Sequence, residues 1–164
     1  MNIFPFESVT YESHLSETEI KKRLSGVLKS SRNRNMNTGN KGLQSYDGYL
    51  SENNFEIRRK INYQNSFLPL IKGEFIQASN KVTIKIKMRL QILVIIFMSI
   101  WCGITFSIFV GLFISDVIDN KPFDNTLMPL GMLVFGYIIT VVGFKIESYI
   151  AKKDLKKIFE SDAL

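Results

Sequence analysis

The sequence predicts an α+β protein, in which a small cytosolic antiparallel β-meander covered by one helix is followed by a two-helix transmembrane hairpin. Two observations predict this fold class. Segments before residue 90 alternate between apolar and polar side chains with a period of two, which is the pattern of half-buried antiparallel strands. Two later runs, 90–115 and 126–144, contain no charged side chain and are long enough to cross a bilayer as helices.

The first two elements are a strand and a helix. Residues 4–12 combine aromatic and β-branched side chains, which are typical of strands. Ser16 and Glu19 then form a capping box, and the apolar residues of 20–28 share one helical face. We expect this face to pack on the sheet rather than on a membrane surface, because it lacks the Trp or Phe of a strong interfacial anchor. The polar segment 30–40 is expected to be a flexible linker.

Four further segments have strand character and form the meander: 43–50, 55–63, 67–77 and 81–89. The last segment alternates most strictly, with apolar side chains at even positions and polar or charged side chains at odd positions. Arg59 breaks the alternation of the second segment, because it falls on the same face as Phe55 and Ile57. Gly73 in the third segment predicts a bulge or a close backbone contact.

The chain therefore divides into three parts. A cytosolic α+β domain covers 1–89, a transmembrane hairpin covers 90–146, and a cytosolic basic tail helix covers 147–164. The two spans of the hairpin are expected at about 90–115 and 126–145. The tail is expected either to continue the second span or to lie as a short helix at the lipid interface.

The distribution of charge predicts the orientation of this hairpin. Residues 1–89 carry 15 Lys and Arg against 8 Asp and Glu, whereas the loop 116–125 carries three Asp against one Lys. Cationic segments beside spans stay in the cytoplasm. We therefore expect a multi-pass protein of the cell membrane with both termini in the cytoplasm. The acidic loop is expected to be solvated rather than to hold a divalent cation.

Both spans carry a stripe of small residues that would let another helix approach closely. The stripe of span one consists of Ser99, Gly103, Ser107 and Gly111, and that of span two consists of Gly136, Thr140 and Gly143. Two interpretations stay open: the spans pack against each other, or the stripes contact a second copy or a partner helix. Neither charge-free run holds an Asp, Glu, Lys, Arg or His, which argues against a transporter or pump.

A basic face on the predicted meander is the candidate lipid or partner surface. Its members are Arg58, Lys60, Lys81, Lys85, Lys87 and Arg89. One hypothesis is that this face binds anionic lipid of the cytoplasmic leaflet or a protein partner. The alternative is that the charges only set the topology of the spans. Nucleic acid is not expected as a partner, because no stacking aromatic residues alternate with these lysines.

No catalytic or metal-binding motif is recognisable in the sequence. It has one histidine, His14, and one cysteine, Cys102, which cannot supply the usual ligands of a structural zinc site. A Gly-rich phosphate loop and a nucleophile elbow are also missing from the sequence. We therefore expect no cofactor, no metal and no enzymatic activity.

Three runs carry a resemblance to other proteins. They are Phe55-x-Ile57-x-Arg59, then Tyr63-x-Asn65-Ser66-Phe67-Leu68-Pro69-x-Ile71-x-Gly73, then Val82-x-Ile84-x-Ile86 ending in Lys87-Met88-Arg89-Leu90. Together they resemble a group of small uncharacterised bacterial membrane proteins, over roughly 43–101. The resemblance implies an architecture, a β-rich cytosolic segment followed by two spans, and it carries over no activity.

The leading hypothesis is a non-enzymatic integral membrane protein whose cytosolic β-domain binds a partner or anionic inner-leaflet lipid. One alternative is an accessory subunit of a larger membrane complex, or a homo-oligomer, which the uncharged spans and their small residues favour. A second alternative is a membrane-bound enzyme without a recognisable motif.

Overall fold

The computed structural model describes residues 4–32, 46–78, 81–160 and 162–163. Along the chain the elements are β1 (Phe6–Ser13), α1 (Glu17–Arg32), β2 (Tyr46–Leu50), β3 (Asn54–Arg59), β4 (Leu70–Ala78), β5 (Lys81–Arg89), α2 (Ile92–Ile118), α3 (Asp124–Phe159) and the two-residue β6 (Asp162–Ala163). The predicted α+β class is confirmed. The predicted linker overlaps the end of α1, and its remaining part, 33–40, lies outside the described residues.

The sheet is antiparallel and has the strand order β2-β3-β4-β5-β1, with β6 pairing along the outer edge of β1. Strands β2 to β5 form the predicted meander, and β1 closes it by pairing with β5 from Phe6↔Arg89 to Ser13↔Val82. At Gly73 the register is uninterrupted, so this position is a close contact and no bulge. A Cβ atom there would lie 2.0 Å from the ring of Phe55, which fills the space above the glycine.

One face of the sheet is covered by α1 and by the end of α3. Helix α1 buries Ile20 and Leu24 completely, as its amphipathic pattern predicts, and Ser16 Oγ accepts a capping hydrogen bond from the Glu19 N–H at 3.3 Å. The end of α3 adds five apolar residues to the same core: Phe144, Ala151, Leu155, Ile158 and Phe159. The sheet, α1 and residues 144–160 are called the sheet domain below.

The end of the chain therefore behaves differently from a tail at a lipid interface. Helix α3 is continuous over 36 residues, so the segment from 147 onward continues the second apolar helix, which is the first of the two predicted alternatives. Four apolar side chains of this segment face the sheet core, namely Ala151, Leu155, Ile158 and Phe159, whereas Tyr149 is exposed. The sheet domain is thus assembled from chain segments on both sides of α2, and residues 1–89 alone do not contain its complete core.

Helix α3 runs alongside β1 in the same direction. Lys145 Nζ lies 2.8 Å from Glu7 Oε1 at one end, and Ser13 Oγ donates to the Phe159 carbonyl oxygen at 2.6 Å at the other. Six strand steps and fourteen helical steps both cover about 20 Å, so the two axes are nearly parallel. The strands of the sheet domain therefore run nearly parallel to the axis of α3. The end that holds Glu7 and Arg89 is called the hairpin end, and the opposite end, which holds Ser13 and Lys81, the far end.

Helices α2 and α3 form an antiparallel helical hairpin, and both are long and apolar enough to cross a membrane. The connection between them is shorter than the expected loop 116–125, because α2 continues to Ile118 and α3 begins at Asp124. Asp116 is buried within α2 and accepts a 2.5 Å hydrogen bond from the hydroxyl of Thr126. The expectation that this aspartate is solvated is therefore wrong, whereas Asp119 stays exposed and pairs with Lys121.

Within the described part of the chain, the stripe on α3 takes part in packing, whereas the stripe on α2 does not. A Cβ on Gly136 would lie 2.5 Å from the ring of Trp101, and Thr140 is buried close by. Gly143 faces the loop between β3 and β4, where a Cβ would lie 2.8 Å from the Phe67 ring. All four members of the α2 stripe are exposed, and a Cβ on Gly103 would meet no atom within 4 Å.

Candidate functional site

A buried ion pair joins the sheet to α3 at the hairpin end. Arg59 Nη1 lies 2.9 Å from Glu147 Oε2, and the two side chains are only 7% and 3% exposed. Strand β3 places Arg59 on the core face beside Ile57, which explains why this residue breaks the apolar alternation. Its partner could not be found from local patterning, because 88 positions separate the two residues.

The second oxygen of Glu147 holds the loop that connects β3 to β4, residues 60–69. Glu147 Oε1 accepts hydrogen bonds from the Tyr63 hydroxyl at 2.6 Å and from Asn65 Nδ2 at 2.8 Å. The hydrogen bond to this carboxylate is the main cause that raises the pKa of Tyr63 above its ordinary value. A buried carboxylate with three donors is the arrangement that compensates the loss of its hydration.

Residues 65–69, which belong to the second of the resemblance runs, form the second half of this loop. Asn65 Oδ1 also accepts from the Phe67 N–H at 3.0 Å, which makes a turn closed by the side chain. That turn directs the Phe67 ring against Gly143 of α3. Asn65 thus contacts α3 with its side-chain nitrogen and closes the turn of the loop with its side-chain oxygen.

A second polar contact lies deeper in the core. The Tyr46 hydroxyl donates to Asp154 Oδ2 at 3.4 Å. Burial is the main cause that raises the pKa of Tyr46, and the charge of Asp154 adds to it. Burial likewise raises the pKa of Asp154, although Arg59 and Tyr46 act in the opposite direction. Arg59 therefore influences two carboxylates of α3.

Glu7 of β1 binds two lysines of α3. Its Oε1 lies 2.8 Å from Lys145 Nζ, and its Oε2 lies 2.7 Å from Lys152 Nζ. Burial acts to raise the pKa of Glu7, but the hydrogen bonds and charges of the two lysines outweigh it and lower the pKa below 4.5. Next to this cluster, burial and the charge of Glu7 raise the pKa of Tyr11 to about 12.

The six residues of the predicted basic face do not form one compact patch. Lys81, Lys85, Lys87 and Arg89 are all exposed on the sheet face opposite α1 and α3. Because each strand residue advances about 3.3 Å, Lys81 lies about 26 Å from Arg89 along β5. Arg58 shares a cross-strand row with Arg89, and Lys60 follows the end of β3. Acidic side chains on the same face interrupt the rest of the stripe: Glu12 binds Lys81 at 3.0 Å, and Glu74 lies opposite Lys85.

Two cavities flank the loop 60–69. The polar cavity has a volume of about 350 Å³ and is lined by Asp47, Arg58, Arg59, Lys60, Asn65 and Gln91, among others. The apolar cavity, of about 500 Å³, lies between the loop and the first turns of α2, and its walls include Phe67, Leu93, Val94, Phe97 and Met98. Among the residues that the structure describes, no group of three His, Cys, Asp or Glu side chains could hold a metal ion.

Comparison of the chain with protein-family models, curated proteins and solved structures found no match. The resemblance to small bacterial membrane proteins therefore stays a prediction.

Removal of Glu147 should be far more costly than removal of an exposed acidic partner. We expect Glu147→Leu to lower the free energy of unfolding by about 3–5 kcal/mol, because it leaves the Arg59 charge buried and unpaired. Glu12→Leu, which breaks the exposed pair with Lys81, should cost less than about 1 kcal/mol. Denaturant unfolding of the full chain in detergent measures both. The double variant Arg59→Met/Glu147→Leu should recover much of the lost free energy of unfolding. An equal loss of stability in Glu147→Leu and Glu12→Leu would contradict the burial of the pair.

The ionised Glu7 carboxylate should stabilise the fold in a pH-dependent manner. Because its folded pKa is lowered, the stabilisation is present above the ordinary value of 4.5 and is lost as the pH falls through the folded pKa. We therefore expect Glu7→Gln to be less stable than the parent at pH 7, with a difference that disappears in acid. Thermal unfolding at a series of pH values checks this, with Glu52→Gln in the exposed β2–β3 turn as the control. A difference that is constant down to acidic pH would show that the charge of Glu7 is not responsible.

Proposed function

We propose that this chain is a two-span integral membrane protein whose sheet domain, on the cytoplasmic side, binds anionic lipid of the inner leaflet without acting as an enzyme. The observation that carries the proposal is the position of the cationic side chains at the hairpin end. Arg58, Lys60, Lys87 and Arg89 all lie at the end of the sheet domain from which α2 begins. This is the level at which headgroups would surround a pair of spanning helices.

The exposure of the two helices supports a membrane location. In the most apolar stretch of α2 only 6% of the residues are buried, and in that of α3 only 22%. The core helix of a soluble protein would be mostly buried, and a contiguous apolar surface of this size is costly in water. The part of α3 that precedes the sheet domain, 124–144, spans about 31 Å, close to the thickness of a hydrocarbon core.

Charge supports the orientation with both termini in the cytoplasm. The hairpin end carries a surplus of cationic residues, including Lys145 where α3 enters the sheet domain. The connection at the other end of the helical hairpin contains Asp119 and Lys121 and is followed by Asp124, so it has no cationic surplus. Because cationic segments beside spans are retained in the cytoplasm, this distribution favours a cytoplasmic sheet domain.

The strands of the sheet domain run along the axis of α3, so only its hairpin end lies close to the proposed membrane surface. Screening at physiological salt limits attraction to about 8 Å from a charged surface. Lys87 lies about 7 Å from Arg89 along β5, whereas Lys85 lies about 13 Å and Lys81 about 26 Å away. Each cationic residue near the surface contributes about 1 kcal/mol, so lipid attraction comes mainly from the hairpin end. The exposed rings of Phe4 and Phe6 lie at the same end and suit an interfacial position.

A second candidate function is that of an accessory subunit or homo-oligomer. It is favoured by the α2 stripe of Ser99, Gly103, Ser107 and Gly111, which is exposed and unused by the packing of α2 on α3. Small residues of this kind let a further helix approach closely in a membrane. A stoichiometric protein partner purified with the chain from native membranes would favour this candidate.

The proposed orientation can be tested by cysteine labelling in intact cells. In a background in which Cys102 is replaced by Ser, we expect Asn120→Cys to react with an impermeant maleimide added outside. Asn53→Cys, in the β2–β3 turn, should react only after the cells are permeabilised. Labelling of Asn53→Cys in intact cells would overturn the orientation.

Lipid preference can be tested with matched charge removals on one strand. With the full chain in mixed bilayers, electron spin resonance of spin-labelled lipids measures the association of anionic lipid relative to zwitterionic lipid. We expect a preference for anionic lipid that weakens in high salt and falls several-fold in Lys87→Gln/Arg89→Gln, because about 1 kcal/mol per charge is lost. Lys81→Gln/Lys85→Gln removes the same charge farther from the membrane and should change the preference much less. Equal effects of the two double variants, or no preference in the parent, would overturn the proposed function.

A further inference from the structure

We infer that the polar cavity beside the loop 60–69 is a specific site for the phosphate group of a membrane lipid, and that one acyl chain of this lipid lies in the adjoining apolar cavity. This inference rests on the proposed membrane location. It goes beyond general attraction to anionic lipid, because it assigns one bound lipid to a defined cavity.

The guanidinium of Arg59 keeps one donor for which the described residues supply no acceptor. Arg59 is one wall of the polar cavity and is only 7% exposed. Its Nη1 binds Glu147, but its Nε is buried and has no hydrogen-bond partner among the described residues. Buried donors in folded proteins are almost always paired. Phosphate is a suitable ligand for this side chain, since the planar guanidinium presents parallel N–H groups to phosphate oxygens.

Other groups of the same cavity also favour an anion. Arg58 and Lys60 flank Arg59 in the wall. Gln91 completes the wall and is the N-cap residue of α2, where its side chain makes no capping hydrogen bond. A helix N-terminus attracts negative charge, so α2 reinforces the cationic side chains.

Two carboxylates oppose this attraction but do not cancel it. Asp47 contributes to the wall, and Glu147 neutralises part of the Arg59 charge. Three cationic groups against two carboxylates leave a positive surplus. The result is a cavity that takes a singly charged phosphodiester more readily than a highly charged anion.

The order of polar and apolar surfaces identifies the ligand as a lipid. The two cavities adjoin, because Asn65 lines both of them. The polar cavity reaches Gln91, immediately before α2, and the apolar cavity follows α2 from Leu93 to Met98. Gln91 and Phe97 are about 9 Å apart along the helix axis, so a headgroup at the first position leads an acyl chain toward the second. Free phosphate would leave the apolar cavity without an occupant.

Native mass spectrometry of the full chain tests the inference. The chain is released from nanodiscs of equal phosphatidylcholine and phosphatidylglycerol, and the lipids that stay bound are counted. We expect one phosphatidylglycerol per chain. Arg58→Gln/Lys60→Gln should reduce its retention about ten-fold or more, because charge-assisted hydrogen bonds are lost. Arg59→Lys keeps the positive charge next to Glu147 but lacks the planar guanidinium, and it should also lose the lipid.

Controls separate this site from surface attraction and from free phosphate. Lys81→Gln/Lys85→Gln removes the same charge outside the cavity and should retain the lipid. Equal retention by the parent and Arg58→Gln/Lys60→Gln would overturn the inference, even if spin resonance shows a general preference for anionic lipid. A retained lipid without any general preference would instead overturn only the proposed function. Displacement of the lipid by inorganic phosphate in lipid-free micelles would assign the cavity to free phosphate and overturn the lipid assignment.

Discussion

The ion pair between Arg59 and Glu147 is the interaction on which the arrangement at the hairpin end depends. It is buried, and its carboxylate also holds Tyr63 and Asn65. An uncompensated charge at this depth would be costly, so each donor constrains the position of the others. One glutamate of α3 therefore fixes the end of β3, the loop that follows it and the distance between the sheet and the helix.

The continuity of α3 turns this local arrangement into a restriction on the whole molecule. The same helix packs against α2 through Gly136 and against the sheet through its last four turns. Because there is no flexible connection between these two parts of α3, the sheet domain cannot rotate freely relative to the helical hairpin. The cluster of Glu7 with Lys145 and Lys152 adds a second attachment on β1. The hairpin end therefore has a fixed position relative to the start of α2.

Under the proposed function, the basic residues have different roles, because they lie at different fixed distances from the start of α2. Lys87 and Arg89 are exposed near the level at which headgroups are expected, so they suit general attraction to an anionic surface. Arg58, Arg59 and Lys60 enclose a cavity and suit recognition of one phosphate group. Lys81 at the far end binds Glu12 and is too distant for either role. Under the proposed membrane location, the cationic residues of this face thus differ in role according to their distance from the hairpin end.

Much of the fold follows from local patterns in the sequence. The period-two alternation of 81–89 matches β5 residue for residue, and the capping box at Ser16 precedes α1. The first charge-free run lies within α2 except for its first two residues, and the second lies within α3. These features are local because each depends on the geometry of a single helix or strand. The six candidate basic residues follow from the same local patterns, whereas the buried Arg59 is not among them and stands out in the sequence only as an exception to the alternation.

Tertiary structure alone decided how these elements are combined. The pairing of β1 with β5, the burial of 144–159 on the sheet and the partnership of Arg59 with Glu147 all join residues that lie far apart in the sequence, 88 positions in the case of the ion pair. Sequence patterning indicates which side chains avoid water, but it does not indicate which distant surface covers them. For the same reason the stripe on α3 could be assigned to packing within the chain, and the stripe on α2 to an outward face, only from the folded molecule.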